Sequence, residues 1–202
     1  EWTWCLSRLL GIPFGMTGHA TGIWKDRNIL EQKVKNARVA LSCTGFNVEH
    51  LRQLAPEHAS KVHLVRHGLD LEALGEAPLY PTEENAPWMA VGRLIEKKGF
   101  DNLIAAVARL RDRGHEQRLL IFGEGPLRGA LEEQISRLRI EDLVELRGAV
   151  PNAEVWKALK ISRGLVAPSI MDGKGDIDGT PNVILEAMAM GLPVIGSRGG
   201  GT

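Results

Sequence analysis

In the stretch DGTPNVILEAMAMG, residues 178 to 191, a single carboxylate interrupts an apolar pattern. Glu186 stands between a hydrophobic run and a row of small and sulfur-bearing residues, where a packing helix would normally carry another hydrophobe. Pro181 suits a first helical turn, where its missing N–H costs nothing, so a helix is expected over Asn182 to Met190. The polar loop IMDGKGDIDGT leads into it, and the amides and positive dipole end of its N-terminus would face an anion. Glu186, one turn in, would then accept hydrogen bonds from two vicinal hydroxyls of a ribose, as acidic residues do in dinucleotide folds. The alternative is a carboxylate reaching solvent from a helix edge. A second acid, Asp178, eight residues earlier on the preceding loop, favours a site.

Other stretches carry weaker signals of the same kind. VGRLIEKKGF offers Arg93 and Lys98 as two cations after a strand, and solvated loop charges are the common alternative. TGHATGI offers His19, and a lone histidine is as often structural as chemical. GEGP, with Gly123 and Gly125, lacks the full GxGxxG spacing and has no following acid placed for a nicotinamide ribose. A tight turn and close packing are its expected roles, and a nicotinamide-dependent oxidoreductase is disfavoured. The acidic loop DGKGDIDG invites a calcium assignment, but placing Gly179 at the glycine of an EF-hand puts Lys174 at its first position and Leu185 at its last. No metal site is expected there. Neither a Gx-Ser-xG elbow nor a motif around Cys43 supplies a covalent nucleophile.

The elements that must position these residues alternate between strand and helix. From Trp88 onward the order is strand WMAVGRL, helix DNLIAAVARLRDRG, strand RLLIFG, helix PLRGALEEQISRL, strand LVELRG, a helix around AEVWKALK, strand GLVAPS, the Glu186 helix and strand PVIGS. In the first of these helices Leu103, Ile104, Val107 and Leu110 form one apolar stripe, with Asp101 expected to cap the start and Gly114 to stop the end. Five such alternations imply an α/β fold with a doubly wound parallel sheet. The front part alternates too: strand-like PFGMTG, a helix near NILEQKVKNA, strand RVALSC, helix NVEHLRQLA and strand KVHLVRHG. Between them, residues 69–87, LDLEALGEAPLYPTEENAP, are rich in Pro and acid and are expected to be a linker. The expected division is therefore 1–68, linker 69–87, and 88–202. The first part is short of strands for a complete sheet and the chain stops at GGGT after a strand, so both ends are expected to continue in a longer protein.

Bulk properties exclude several classes. The 202 residues carry 25 Lys+Arg and 25 Asp+Glu with 44% hydrophobic residues, an ordinary soluble globular balance. No apolar run approaches the ~20 residues of a membrane span, and the start EWTWCLSRLL lacks a secretion signal. Two cysteines, Cys5 and Cys43, make no disulfide framework and point to a reducing, cytoplasmic setting. Residues 1–68 hold 9 Lys/Arg against 5 Asp/Glu, and the remainder 16 against 20. A mildly basic front fits an anionic acceptor, peripheral association with a membrane surface, or a scattered solvated face.

Taken together, these motifs resemble the retaining nucleotide-sugar glycosyltransferases of family 4, of GT-B fold, with two facing Rossmann-like domains. Asp178 and Glu186 with TPNVILEAMAMGLPV resemble the family's E-x7-E signature. VGRLIEKKGFDNLIAAV is similar to its diphosphate-binding strand-loop-helix, and LLIFGEGPLR to its strand-GxGP-helix turn. GIPFGMTGHATGIW, ARVALSCTGFNVEHLRQLAP and KVHLVRHGLDL resemble the end of the N-terminal domain in the colanic-acid-type branch, so the resemblance covers nearly the whole chain. It implies that residues 1–68 end the acceptor-side domain and 88–202 hold the nucleotide-sugar domain. It assigns Glu186 to the ribose hydroxyls, Asp178 and His19 to the donor sugar, and Arg93 and Lys98 to the two phosphates. Gly92, Gly123, Val150, Asn152, Thr180, Asn182 and Val183 would complete the nucleotide-sugar contacts. This chain has Asp178 where the family has Glu, and Gly22 where an Asp often follows the histidine. The implied activity is hexose transfer from a UDP- or GDP-sugar to a hydroxyl of a saccharide or lipid-linked acceptor in polysaccharide or glycolipid biosynthesis, without metal, other cofactor or nucleic acid. A nucleotide-binding module inactive on its own and a GT-B nucleotide-sugar epimerase are the alternatives.

Overall fold

The computed structural model describes residues 2–19, 21–25, 29–75 and 85–198. They form two compact units: one takes residues up to Gly68 together with Met171–Thr180, the other Leu69–Ile170 and Pro181–Arg198. The GGGT terminus and residues 76–84 of the expected linker lie outside the described residues.

In the first unit, helix α1 (Trp2–Leu10) precedes strand β1 (Gly15–Gly18), a π-helical turn at Thr21–Lys25, α2 (Leu30–Asn36), β2 (Val39–Ser42), α3 (Gly45–Leu54) and β3 (Val62–Leu64). The strands pair in parallel in the order β1-β2-β3. Alternation along β2 turns Ala40 and Ser42 inward. Ala40 joins Ile23, Leu30, Val34, Val48, Leu51 and Val62 in the core, and the Ser42 hydroxyl donates to the Gly18 carbonyl at 2.7 Å. Thr44 starts α3 by accepting from the Asn47 amide at 3.1 Å. Helix α1 was not among the expected elements, and it fully buries none of its side chains.

The second unit begins with a short helix, α4 (Leu71–Leu74). Asp70 caps it through the Ala73 amide at 3.0 Å, and Leu74 is buried with Met89, Leu159 and Leu165. The start of the expected linker is thus folded, because Asp70 caps it and Leu74, with Leu69 beside it, gives it a core to join. Strands β4 (Trp88–Val91), β5 (Leu119–Phe122), β6 (Val144–Gly148), β7 (Gly164–Ala167) and β8 (Val194–Gly196) alternate with helices α5 (Phe100–Arg111), α6 (Arg128–Leu138), α7 (Asn152–Lys160) and α8 (Asn182–Ala189). All pairings are parallel, in the order β6-β5-β4-β7-β8. The chain winds outward from β4 in one direction, then returns to the other side at β7. That is a topological switch point, where open α/β sheets leave a crevice beyond the strands' carboxyl ends. Each face is covered, as a parallel sheet requires. Ala90 packs with Ile104, Ile121 and Leu131 on one side, and the adjacent Met89 with Val155, Leu165 and Ile184 on the other.

The start of α5 differs from the expected cap. Its N-cap is Gly99, in left-handed geometry at φ 63°, and Asp101 lies inside the first turn. A Cβ at position 99 would sit 2.2 Å from the Pro168 carbonyl oxygen, so the approach of β7's loop fixes the helix start and excludes a side-chain cap. Gly123 is confined more severely, at φ 143° with the Gly92 carbonyl oxygen 1.8 Å from where a Cβ would stand. Gly123→Ala is expected to lower unfolding free energy by at least about 3 kcal/mol in a urea titration. Gly129→Ala, in the first turn of α6 with nothing within 4 Å, is expected to raise it by about 0.5–1 kcal/mol.

Candidate functional site

The carboxyl ends of β4, β5 and β6 are laced together by backbone hydrogen bonds. The Gly92 amide donates to Phe122 O at 2.9 Å, Leu94 N to Glu124 O at 2.9 Å, and Gly123 N to Gly148 O at 2.8 Å. These bonds are affordable in space only because Gly123 has no side chain. Above them opens a cleft of about 470 Å³, lined by Gly92, Arg93, Gly123, Val150 and Asn152 together with Val91, Phe122, Glu124, Ala149 and Val155. Its size suits a small-molecule ligand. Five of the residues singled out from sequence therefore meet at one place in the second unit. Glu124 was not among them. It pairs with Arg128 at 2.7 Å, which also reaches Glu132 at 2.9 Å, so the acid at the cleft is neutralised from the first turn of α6.

Lys98 and Val183 line a small neighbouring pocket with Val91, Val166, Ala167, Pro168, Ser169 and Pro181, at the switch point between β4 and β7. Lys98 lies along the end of β4. A Cβ at Gly92 would stand 3.1 Å from its Cε and 3.5 Å from its Nζ, so glycine at 92 makes room for this cation. Helix α8 starts from Pro181, which offers no side-chain acceptor to the amides behind it. Asn182 is exposed at that start, and Glu186 is partly exposed one turn on, with its carbonyl accepting from the Met190 amide at 3.1 Å.

Asp178, which is buried, and Thr180 belong to the segment that groups with the first unit. The acidic loop before them holds itself: Asp172 Oδ1 accepts from the Lys174 and Asp176 amides at 2.9 and 2.8 Å. His19 follows β1 and lines a separate cleft of the first unit with Thr17, Gly18, Gly22 and Lys33. Its ring stacks on His67 with centroids 5.5 Å apart, and Cys43 Sγ lies 4.0 Å from its Nδ1. Neither neighbour was legible as a pair with His19, since 24 and 48 residues separate them in sequence. The available signal was that each follows a strand of one parallel sheet.

A family model described as glycosyl transferases group 1 matches residues 82–202. The chain belongs to that family. It is 33% identical over 135 residues to the putative colanic acid biosynthesis glycosyltransferase WcaL of Escherichia coli, which is 67% of this chain and 33% of that protein. It thus spans about a third of the length of that relative. Sucrose-phosphate synthase from Thermosynechococcus elongatus superimposes with a TM-score of 0.79 at 22% identity, over 98% of this chain and 53% of that one. The Anabaena protein Alr3699/HepE, solved in complex with UDP and glucose, gives 0.76 at 17% identity, over 98% and 56%. These likenesses establish the fold of this group 1 chain as the expected α/β, Rossmann-like GT-B class.

The Glu124–Arg128–Glu132 cluster is partly exposed, and such pairs contribute little to stability. Arg128→Ala is expected to change unfolding free energy by no more than about 1 kcal/mol in chemical denaturation, the change shrinking in high salt.

Proposed function

We propose that this group 1 chain holds the donor side of a retaining, metal-independent glycosyltransferase. The enzyme moves a hexose from a UDP- or GDP-sugar to a hydroxyl of a saccharide or lipid-linked acceptor during polysaccharide or glycolipid synthesis. The observation that carries the reading is the cleft beyond β4, β5 and β6, with the cationic Lys98 beside it at the switch point. Family membership and the name of the Escherichia coli relative support it. The UDP and glucose bound by the Anabaena protein agree with a nucleoside diphosphate donor.

In this reading the base rests against Val150 and Asn152, and Glu186 accepts from the ribose hydroxyls. Gly92, Gly123, Thr180, Asn182 and Val183 line the path of the nucleotide sugar. Arg93 and Lys98 neutralise the two phosphates, whose charge grows as the bond from the anomeric carbon to the phosphate oxygen breaks. The acceptor oxygen bonds to that carbon on the same face, and its proton passes to the departing phosphate. His19 and Asp178 orient the sugar. No enzyme nucleophile is required.

None of the described helices is long and apolar enough to cross a membrane. The basic front part supports peripheral association with an anionic membrane surface. A second reading, a nucleotide-binding module without transfer activity of its own, draws on the chain's limited span of its relatives. Assay of the longest natural form with UDP- and GDP-hexoses separates the two.

Lys98→Ala and Glu186→Ala are each expected to lower transfer at least about 100-fold, with the anomeric configuration of wild-type product retained by NMR. Near-normal rates in either variant overturn the assignment of those residues, and an inverted product overturns the retaining mechanism.

A further inference from the structure

Three soft or borderline ligands stand together in the first unit, and the transfer chemistry gives a role to only one of them, His19. His19 follows β1 directly, Cys43 follows β2 directly, and His67 lies three residues beyond β3. The three strands are adjacent and parallel, with Gly18 paired to Ser42 and Ser42 to Leu64, so their carboxyl ends deliver the three side chains to one edge of the sheet. One ligand atom from each residue lies within 4.8 Å of the others.

Each residue is anchored through its backbone neighbours. The His19 carbonyl accepts from Ile23 N at 3.1 Å, which ties it to the π-helical turn. Cys43 is held between buried Ser42, bonded to Gly18, and buried Thr44, the cap of α3. The Val65 amide donates to Ser42 O at 2.9 Å, extending the strand pairing to within two residues of His67. Cys43 and His67 are half-buried, and His19 is exposed at the rim of its cleft.

We propose that His19, Cys43 and His67 form a binding site for a soft divalent transition-metal ion of the zinc class. One thiolate and two imidazoles select such an ion over magnesium or calcium, which prefer oxygen ligands. Tetrahedral zinc with bonds of about 2.0–2.3 Å needs ligand atoms about 3.3–3.6 Å apart. Cys43 Sγ and His19 Nδ1 are already 4.0 Å apart and all three ligand atoms lie within 4.8 Å, so side-chain movements of about 0.5–1.5 Å close the set. Three protein ligands leave the fourth position to water or an anion. This ion is not a cofactor of transfer: it takes His19 away from the sugar. That consequence rests on the role of His19 proposed above, whereas binding itself does not.

The deciding experiment is a cobalt(II) titration of the folded chain, followed by thiolate-to-metal absorption and by displacement with zinc in calorimetry. One equivalent of cobalt is expected to raise the band, and zinc to abolish it. Cys5→Ser is expected to keep the band, Cys43→Ser to remove it, and His67→Ala to weaken affinity at least tenfold. Absence of the band in the folded wild-type chain, or a band indifferent to His67→Ala, overturns the site whatever the variants do to stability. In the full-length enzyme, micromolar zinc is expected to inhibit transfer reversibly by chelator. Binding without inhibition leaves the metal site standing and overturns the role given to His19.

Discussion

The carbonyl oxygen of Gly92 occupies the space that a side chain at position 123 would need, and the second unit is organised around that contact. With glycine there, the loops after β4 and β5 approach closely enough to exchange backbone hydrogen bonds, and the end of β6 joins them through Gly148. The same absence of side chains shapes the floor of the cleft and lets Lys98 lie along the end of β4. A side chain at position 123 would force the loops after β4 and β5 apart, whereas one at position 92 would displace only the end of the Lys98 side chain.

Around this contact the rest is ordinary packing. Met89 and Ala90 point to opposite faces of β4 because a strand has period two, and each face finds its own helices. Covering both faces leaves the carboxyl ends of the strands as the open rim. Loops that are free of packing duty there are free to carry function. The first unit repeats the logic on a smaller sheet, and its rim carries His19, Cys43 and His67.

Much of this was legible in the sequence, and for a physical reason. Apolar periodicity switches between two and about 3.6 wherever strand gives way to helix, so the five strands after Trp88 and their connecting helices emerged in order. The GEGP turn was legible as close packing because only a missing Cβ explains paired glycines at a strand end. What escaped was long-range. The start of α5 is set by the Pro168 carbonyl against Gly99, which no local cap rule contains. Helix α4 sits in a stretch whose prolines and acids disguise a short capped turn anchored by Leu74. Helix α1 is amphipathic, but none of its side chains is fully buried. The grouping of Cys43 and His67 with His19 arises only when β1, β2 and β3 pair. Glu124 gains its meaning from Arg128 four residues later, a surface pairing that sequence offers in many places.

The central claim is that the cleft beyond β4, β5 and β6 receives a nucleoside diphosphate. The most direct test is an NMR titration of the folded chain with UDP, GDP, ADP and NAD, following the amides of Gly92, Gly123, Val150 and Asn152. The account predicts that UDP or GDP saturates one site and shifts these amides while NAD does not. Saturable binding that moves other amides instead, or no binding of any nucleoside diphosphate to the folded protein, would contradict it.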